Sequence, residues 1–305
     1  METILITGGA GLIGKNLSKK LKENGYNVVI LSRNPKPGNS YSVYSWNPDK
    51  DEIENEAIKS ADYIIHLAGA GIGEKKWSRK RRELIFSSRI KTCELLFNKV
   101  QKSGIKLKAF ISASGTGLYG TITSEKIFSE TDPPSPDFLG EICRQWELAA
   151  DQFEKSGIRT VKIRTGIVLS KNGGALSRMA APVRLWIGSA LGSGRQYVPW
   201  IHIDDLCSIY IKAIADLKMT GAYNAVAPEH VSNREFMRVL ARVLKKPFFF
   251  PSIPSFVMKL LFGKMSDIIL YGSRISDEKI ISAGYVFKFP ELETALENLN
   301  LICLH

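Results

Sequence analysis

Near its start the chain reads, in order, Thr3-Ile4-Leu5-Ile6-Thr7-Gly8-Gly9-Ala10-Gly11-Leu12-Ile13-Gly14. The apolar, β-branched run predicts a buried strand, and the apolar spacing over residues 12–21 predicts a helix directly after the turn. Glycines at positions 8, 11 and 14 let the backbone turn sharply, approach a pyrophosphate and pack the helix closely on the sheet. Free N–H groups at the start of the helix attract the anion. The stretch therefore predicts a dinucleotide site; the plainer alternative is a glycine-rich turn that holds no ligand.

Length and composition are those of a folded protein with a large core. The chain has 305 residues, of which 44% are hydrophobic, and this suits one large α/β domain or two coupled lobes. The predicted strand at residue 3 leaves no room before it for a signal peptide. No apolar run approaches the roughly 18 residues that span a membrane. We therefore expect a cytoplasmic protein without a membrane span.

The cysteines of the chain indicate neither disulfides nor a metal site. They stand far apart, at positions 93, 143, 207 and 303. The sequence has no Cys-x-x-Cys pair and no histidines at metal-ligand spacing, which indicates a reducing compartment and argues against a structural zinc. We predict no metal.

A dense basic cluster runs from Lys75 to Arg82 in a chain whose formal net charge is +12. A basic surface is the electrostatic signature of nucleic-acid binding. The cluster could instead line the mouth of a cofactor cleft and attract an anionic substrate, or be a solvated helix start. We favour these two readings and expect a small-molecule substrate of anionic or sugar-like character rather than nucleic acid.

Apolar runs alternate with helix-period segments through the first half of the chain. The predicted strands cover residues 27–32, 63–67, 108–113 and 160–169, and the predicted helices cover residues 12–24, 79–103 and 138–156. This alternation is typical of an α/β fold with a doubly wound parallel sheet of the Rossmann type, whose ligand lies along the carboxyl ends of the strands.

The second half reads as a smaller, interleaved substrate lobe. We assign residues 1–169 to the nucleotide-binding domain and residues 170–305 mainly to the substrate lobe and a C-terminal cap. Helices are predicted at 204–217 and 233–245, and a strand near 222–226 returns to the Rossmann sheet. The aromatic segment from residue 247 onward is interpreted as a packed cap or a dimer surface; a membrane-surface helix is the alternative, although its prolines and few basic residues argue against it.

The end of the second predicted strand indicates which nucleotide is bound. In NAD-binding versions of this fold an acidic residue stands there and accepts hydrogen bonds from the ribose 2′-hydroxyl. Here the strand ends with Ser32 and Arg33, a hydroxyl and a guanidinium that match a 2′-phosphate in charge and hydrogen-bond geometry. We predict NADP(H); alternatively, Arg33 only caps the strand end in solvent.

Several further motifs carry a family resemblance. They are Leu67-Ala68-Gly69-Ala70, Ser112-Ala113-Ser114-Gly115-Thr116-Gly117-Leu118-Tyr119-Gly120 and Trp200-Ile201-His202-Ile203-Asp204-Asp205-Leu206. Together with the opening turn, they resemble the extended (atypical) short-chain dehydrogenase/reductase superfamily, which includes NAD(P)-dependent nucleotide-sugar epimerases and dehydratases.

A closer resemblance rests on a second set of motifs. These are Gln145-Trp146-Glu147, Arg164-Thr165-Gly166-Ile167-Val168-Leu169, Gly192-Ser193-Gly194-Arg195-Gln196 and Asn224-Ala225-Val226-Ala227-Pro228. They are similar to an epimerase subfamily labelled cell-division-inhibitor homologues, and the resemblance covers essentially the whole chain.

The resemblance implies a role for each matching position. The pyrophosphate would be held by Gly8, Gly11, Leu12, Ile13 and Gly14, and the 2′-phosphate by Ser32 and Arg33. The adenine-side ribose and backbone would meet Leu67, Ala68 and Gly69, and Arg89 is similar to a cofactor-contacting arginine of the closer subfamily. The nicotinamide end would face Thr165, Gly166 and Val168.

Catalysis is where the chain departs from the superfamily pattern. The superfamily uses a Tyr whose pKa is lowered by a Lys four residues later, aided by a Ser on the substrate oxygen. Ser114 occupies the serine position, but the tyrosine and lysine positions fall at Leu139 and Cys143, and no Tyr in the chain has a Lys four residues later. Tyr119 is a candidate substitute acid, with a packing role as its alternative.

Other polar residues are candidates for the substrate. Arg195 and Gln196, in a Gly-rich loop, could bind an anionic or sugar-like molecule or simply anchor the loop. His202 and Glu141 could exchange a proton with a bound substrate, although a hydrogen-bonded structural role is favoured for His202. The resemblance also implies a homodimer through the two long helices.

Two functions follow from these observations. The first is an NADP(H)-dependent oxidoreductase or epimerase-like enzyme that uses Ser114 and a proton donor not identified from the sequence. The second is a non-catalytic NADP(H)-binding regulator or redox sensor, which loss of the Tyr and Lys favours. Retention of Ser114 and of a full substrate lobe favours the enzyme.

Overall fold

Alternating strands and helices build the chain, as seen in a computed structural model that describes residues 1–35 and 41–301. The strands are, in chain order, β1 (Thr3–Thr7), β2 (Asn27–Ser32), β3 (Ser42–Asn47), β4 (Glu52–Ile53), β5 (Tyr63–His66), β6 (Ala109–Gly115), β7 (Ile127–Phe128), β8 (Arg159–Thr165), β9 (Ile167–Leu169), β10 (Trp200–His202), β11 (Gly221–Ala225) and β12 (Arg274–Ile275). The helices are α1 (Leu12–Glu23), α2 (Asn55–Lys59), α3 (Arg79–Ser103), α4 (Phe138–Lys155), α5 (Ala175–Arg184), α6 (Ile203–Ala215), α7 (Asn233–Val243), α8 (Ser255–Phe262), α9 (Asp267–Leu270), α10 (Glu278–Ser282) and α11 (Leu292–Asn298).

A large sheet organises these elements. Within the described residues it has eight strands in the order β11-β8-β6-β5-β1-β2-β3-β4, all parallel except for the β3–β4 pair. The strand order reverses beside β1, which has β2 on one side and β5 on the other. Ligands of such sheets bind at this switch point, outside the carboxyl ends of the strands. The predicted doubly wound parallel sheet is confirmed.

Helices cover both faces of the sheet because its central strands are apolar on both sides. Ile4 and Ile6 of β1 pack with Leu17 of α1 in one core, whereas Leu5 packs with Phe153 of α4 in the other. Successive side chains of a strand point to opposite faces, so a continuous apolar run serves two cores. This is why the opening residues predicted a buried central strand.

The strand predicted at 160–169 is in fact two strands. The chain leaves the main sheet at Gly166, whose N–H donates to the Ala225 carbonyl at 3.1 Å. A Cβ at Gly166 would lie 2.6 Å from the carbonyl oxygen of Pro199, so only glycine allows this close approach. Strand β9 then pairs with β10 in a separate two-stranded sheet, a change of partner that apolar periodicity does not reveal.

The C-terminal half is interleaved with the main sheet. Strand β11 pairs in parallel with β8, from Gly221 opposite Val161 to Ala225 opposite Thr165. Helix α5 lies in a segment for which no helix was predicted, and helix α8 exposes Phe256, Leu260 and Leu261 to solvent. In the described ranges, each helix is too short or too polar to cross a membrane.

Candidate cofactor and substrate site

The glycine turn after β1 lies directly against the chain that leaves β5. The N–H of Gly11 donates to the Gly8 carbonyl at 2.9 Å, which closes the turn. Gly8 has a φ of +72°, and a Cβ there would lie 2.9 Å from the carbonyl carbon and oxygen of Leu67. A side chain at Gly8 would therefore strain the backbone and fill the gap between the two turns. The predicted pyrophosphate residues and the Leu67 segment meet at the switch point.

Thr7 ties these two turns together. Its hydroxyl lies 2.8 Å from His66 Nδ1 and accepts a hydrogen bond from the Ala68 N–H at 3.2 Å. All these groups are buried or half-buried. The loop Leu67-Ala68-Gly69 is thus held in place by the strand next to it.

Arg89 forms one wall of the cleft. Its Nη1 donates to the carbonyls of Ala70 at 2.9 Å and Ile85 at 3.0 Å, and its guanidinium lies 5.1 Å from the centre of the Trp146 ring. A Cβ on Gly69 would lie 3.0 Å from the Arg89 Cζ. Burial lowers the pKa of Arg89 to about 10, so it is charged at neutral pH. Its buried Nε has no hydrogen-bond partner among residues 1–35 and 41–301.

The end of β2 presents Ser32 and Arg33 beside the turn. Ser32 is half-buried and its hydroxyl accepts from the N–H of Asn34 at 3.2 Å, whereas Arg33 is exposed. The pairing of β1 with β2 sets Thr7 opposite Leu31, so these residues follow at the same sheet edge as the glycine turn. Arg33 is therefore accessible to a phosphate at that edge.

The residues predicted for the nicotinamide end also come to this edge. Thr116 Oγ1 donates to the Thr165 carbonyl at 3.5 Å, which links the ends of β6 and β8. A Cβ on Gly174 would lie 2.9 Å from Cδ2 of Leu12 and 3.9 Å from the carbonyl oxygen of Val168. The first residue of α1 and the end of β9 are thus neighbours.

Ser114 is part of a buried charged network that the sequence analysis did not foresee. Its hydroxyl donates to Glu147 Oε1 at 2.7 Å. Glu147 also accepts two hydrogen bonds from Arg164, from Nε at 2.8 Å and from Nη2 at 2.9 Å. Burial disfavours the charge on Arg164, but the hydrogen bonds and charge of Glu147 outweigh it and raise the pKa of Arg164. The serine is therefore held by an ion pair that joins α4 to β8.

Tyr119 belongs to the same network and does not face an open cleft. Its side chain is 2% exposed. Its hydroxyl donates to Asn224 Oδ1 at 2.7 Å and accepts from Arg164 Nη1 at 3.0 Å. Burial raises the pKa of Tyr119 to about 12. These contacts correspond to the packing alternative, not to a substitute acid.

Leu139 and Cys143 are buried on the face of α4 that meets the loop after Ser114. The Cys143 sulfur would lie 3.7 Å from a Cβ built on Gly115 or on Gly117, and the Leu139 Cβ 3.4 Å from one on Gly117. Burial raises the pKa of Cys143 to about 12, so the thiol stays neutral. Leu139 therefore has no proton to supply, and Cys143 carries no fixed positive charge to replace that of a lysine.

The three predicted substrate residues have different surroundings. Arg195 is exposed on its loop. Gln196 is 1% exposed and its Nε2 donates to the carbonyls of Leu191 at 2.9 Å and Ile269 at 3.0 Å, so it anchors the loop. His202 caps α6 through its Nδ1, which accepts from the Asp204 N–H at 3.1 Å, and its ring packs on Phe289. These contacts correspond to the structural role favoured for His202 and to the loop-anchoring alternative for Gln196.

Glu141 is also occupied. It forms a bidentate ion pair with Arg144 on the surface of α4, with both contacts at 2.8 Å. Hydrogen bonds from Arg144 and Gln145 lower the pKa of Glu141 to about 2. It is therefore ionised at neutral pH and is not poised to donate a proton.

Two buried histidines, His66 and His202, predict an acid-sensitive fold. Burial lowers the pKa of His66 and of His202 to about 4, below the 6.5 of an exposed histidine. Between pH 4 and pH 6.5 the unfolded chain therefore binds more protons than the folded chain does. The stability that the neutral rings contribute to the fold is complete above pH 6.5 and is lost as the pH falls towards 4. We expect the free energy of unfolding to fall by about 1.4 kcal/mol per pH unit for each histidine. Urea unfolding at several pH values in this range measures the slope. His202→Asn keeps a helix cap and should reduce the slope. An unchanged slope in this variant would contradict a lowered pKa for His202.

Fold and turn together define a dinucleotide-binding α/β protein of the Rossmann type. The chain belongs to the NAD dependent epimerase/dehydratase family, whose model matches residues 4–226. Residues 253–299 match a further model, a domain of unknown function called DUF1731. The recognition of an extended short-chain dehydrogenase/reductase from its motifs is confirmed.

Relatives extend over the whole length of the chain. An epimerase family protein of Staphylococcus aureus (strain MRSA252) is 35% identical over 300 residues, which cover 98% of this chain and 99% of that protein. The human epimerase family protein SDR39U1 (isoform 2), crystallised with NADPH, superposes with a TM-score of 0.86 at 32% identity and covers 97% of this chain and 98% of its own. A nucleoside-diphosphate sugar epimerase of Corynebacterium glutamicum superposes with a TM-score of 0.79 at 31% identity, covering 98% of this chain and 58% of that one.

Proposed function

We propose that this protein binds NADP(H) and catalyses hydride transfer on a small-molecule alcohol or carbonyl compound. The observation that carries the proposal is the close meeting of the glycine turn with the loop after β5, beside Arg33 and Arg89. The crystallisation of the 32% identical human relative with NADPH supports the phosphate form of the cofactor.

The described residues fit such a cofactor. A Cβ at Gly8 or Gly69 would be crowded by Leu67 or by the Arg89 guanidinium, so these glycines keep a cradle open. The buried Nε of Arg89, without a partner in the described ranges, is a charged donor in need of an acceptor. Backbone N–H groups at the start of α1 would hold the pyrophosphate, and Ser32 and Arg33 the 2′-phosphate. When bound, the nicotinamide supplies or accepts a hydride.

Ser114 would position the substrate oxygen. Its hydroxyl proton points to Glu147 at 2.7 Å, so its lone pairs are free to accept from a substrate hydroxyl. The bidentate pair with Arg164 holds Glu147 in one orientation, and therefore fixes the direction of the serine. A carbonyl substrate would require the serine hydroxyl to turn away from Glu147.

Arg33→Ala tests the cofactor. We expect the loss of a charge-assisted contact to the 2′-phosphate to weaken NADPH binding by about 1.5–3 kcal/mol. NADH lacks that phosphate and serves as the matched control ligand, so its binding should stay nearly unchanged. Quenching of tryptophan fluorescence on titration with each nucleotide measures both; equal losses for NADPH and NADH would refute the role of Arg33.

A non-catalytic NADP(H)-binding regulator or redox sensor is the second candidate. It is favoured by the apolar Leu139 and neutral Cys143 where the superfamily has its acid pair, and by the buried, fully bonded hydroxyl of Tyr119. Oxidation of bound NADPH by a carbonyl compound would select the enzyme. Binding without turnover across a broad carbonyl panel would select the regulator.

We infer a homodimer through the outer faces of α3 and α4. Leu84 and Phe86 on α3 and Leu148 on α4 are large apolar side chains that are 44%, 38% and 42% exposed. Burial of such side chains by a second copy would remove apolar surface from water. Helix α8, which exposes Phe256, Leu260 and Leu261 more fully, is the other candidate face for a second copy.

A further inference from the structure

A cavity of about 270 Å³ opens beside Leu139, at the position vacated by the superfamily tyrosine. It is lined by Trp77, Arg82, Thr121, Asp137, Phe138, Leu139, Lys264 and Asp267. The first part of the chain and the C-terminal lobe both contribute side chains, and the volume is of the order of small-molecule sites. Trp77 and Arg82 belong to the segment of the basic cluster.

One wall of this cavity is an aromatic corner. The ring centres of Trp77 and Phe138 are 4.9 Å apart with the planes at 62°. Trp77 is fixed at its edge, where Nε1 donates to the Ile72 carbonyl at 2.9 Å. These two rings and Leu139 form an apolar wall on which a flat apolar group can pack.

Arg82 packs against this corner with its charge uncommitted. Its guanidinium carbon lies 4.7 Å from the centre of the Phe138 ring and 6.0 Å from that of Trp77. Its buried Nε has no hydrogen-bond partner among the residues that the structure describes. A guanidinium stacked on a ring keeps its N–H edge in one plane, which suits the two oxygens of a carboxylate.

Asp137, one of the two acidic residues of the lining, is engaged by the backbone rather than by Arg82. Both oxygens of Asp137 are occupied: Oδ1 accepts from the N–H groups of Leu139 at 3.0 Å and Gly140 at 2.8 Å, and Oδ2 accepts from the N–H of Thr121 at 2.7 Å and its hydroxyl at 2.9 Å. Asp137 is thus the cap of α4. Asp137 keeps its negative charge, so two cations, Arg82 and Lys264, balance two carboxylates, Asp137 and Asp267, in this lining. The Nε–H of Arg82 still lacks a partner among the described residues.

We propose that this cavity is the substrate site and that it takes an organic carboxylate with a flat, unsaturated body. The carboxylate lies on Arg82, assisted by Lys264, and the flat body lies on Trp77 and Phe138 with its reacting carbon towards Leu139 and the cofactor cleft. The inference rests on the proposed function, because it places the reacting end of the molecule beside the nicotinamide.

Two probes of similar shape test the inference. They are 4-carboxybenzaldehyde and the neutral 4-methylbenzaldehyde, and their binding to the protein saturated with NADPH is measured by isothermal titration calorimetry. We expect the carboxylate probe to bind at least about tenfold more tightly, which is the scale of one charge-assisted contact. Equal affinities, or no binding of the carboxylate probe at millimolar concentration, would overturn the proposal.

Two arginines in the first turn of α3, Arg82 and Arg79, provide the test variant and its matched control. Arg82→Gln should lower the affinity for 4-carboxybenzaldehyde about tenfold. Arg79→Gln should leave that affinity unchanged, because the Arg79 side chain is 95% exposed and pairs with Glu83. An equal loss in both variants would mean general attraction by the cluster and would overturn the site. NADPH titration of each protein separates the two proposals. NADPH binding without preference for the carboxylate overturns the substrate inference and leaves the proposed function standing, whereas absence of NADPH binding overturns both.

Discussion

Glu147→Ala lowers the free energy of unfolding by about 3–5 kcal/mol, the cost of leaving a buried charge without its partner. Glu147 and Arg164 are 8% and 7% exposed, and their two hydrogen bonds are 2.8 Å and 2.9 Å long. Removal of the carboxylate leaves the guanidinium in the interior and also removes the acceptor of the Ser114 hydroxyl. Urea unfolding at neutral pH measures the change.

A surface ion pair on the same helix is the control. Glu141→Ala breaks the bidentate pair with Arg144, whose side chains are 47% and 41% exposed, and an exposed pair contributes only about 0–1 kcal/mol. The double variant Glu147→Ala, Arg164→Met should recover part of the lost stability, since it no longer buries an unpaired charge. Similar losses from the Glu147 and Glu141 substitutions would contradict the buried role of the network.

Gly14→Ala abolishes NADPH binding, with a loss of affinity of at least about 100-fold, and destabilises the fold by about 1–3 kcal/mol through overpacking. A Cβ at Gly14 would lie 2.6 Å from the Gly9 Cα and would also collide with the Gly8 carbonyl oxygen. Backbone atoms cannot rotate away as a flexible side chain can. The turn must open, and the N–H groups that would hold the pyrophosphate lose their arrangement.

Gly73→Ala is the matched glycine substitution. A Cβ there would lie 3.6 Å from Arg178 Nη1 and 3.7 Å from Ile268 Cδ1, which are ordinary contact distances. Nucleotide affinity should therefore be that of the unmodified protein. Fluorescence titration with NADPH gives the affinity and urea unfolding gives the stability. Normal NADPH affinity in the Gly14→Ala protein would contradict the placement of the cofactor at this turn.

Local sequence patterns predicted the parts of the fold that depend on local forces. The opening strand and turn, the bounds of β2 and the bounds of α3 agree with the structure, because apolar periodicity and capping residues act over a few positions. Long apolar runs also revealed the doubly wound sheet. The break at Gly166 was missed because its cause, the Pro199 carbonyl, lies far along the chain.

The sequence by itself determined the family, the glycine turn and the absence of a Tyr and Lys pair, since each of these is a matter of residue type at a fixed spacing. Only the tertiary structure decided that Ser114 donates to Glu147, that the Tyr119 hydroxyl and the His202 Nδ1 are engaged in the interior, and that Arg82 faces a cavity with Lys264. The physical reason is that burial and hydrogen-bond partners are set by residues from distant segments. Arg164 lies 17 positions after Glu147 and 45 after Tyr119, and no local pattern records that a single guanidinium joins them.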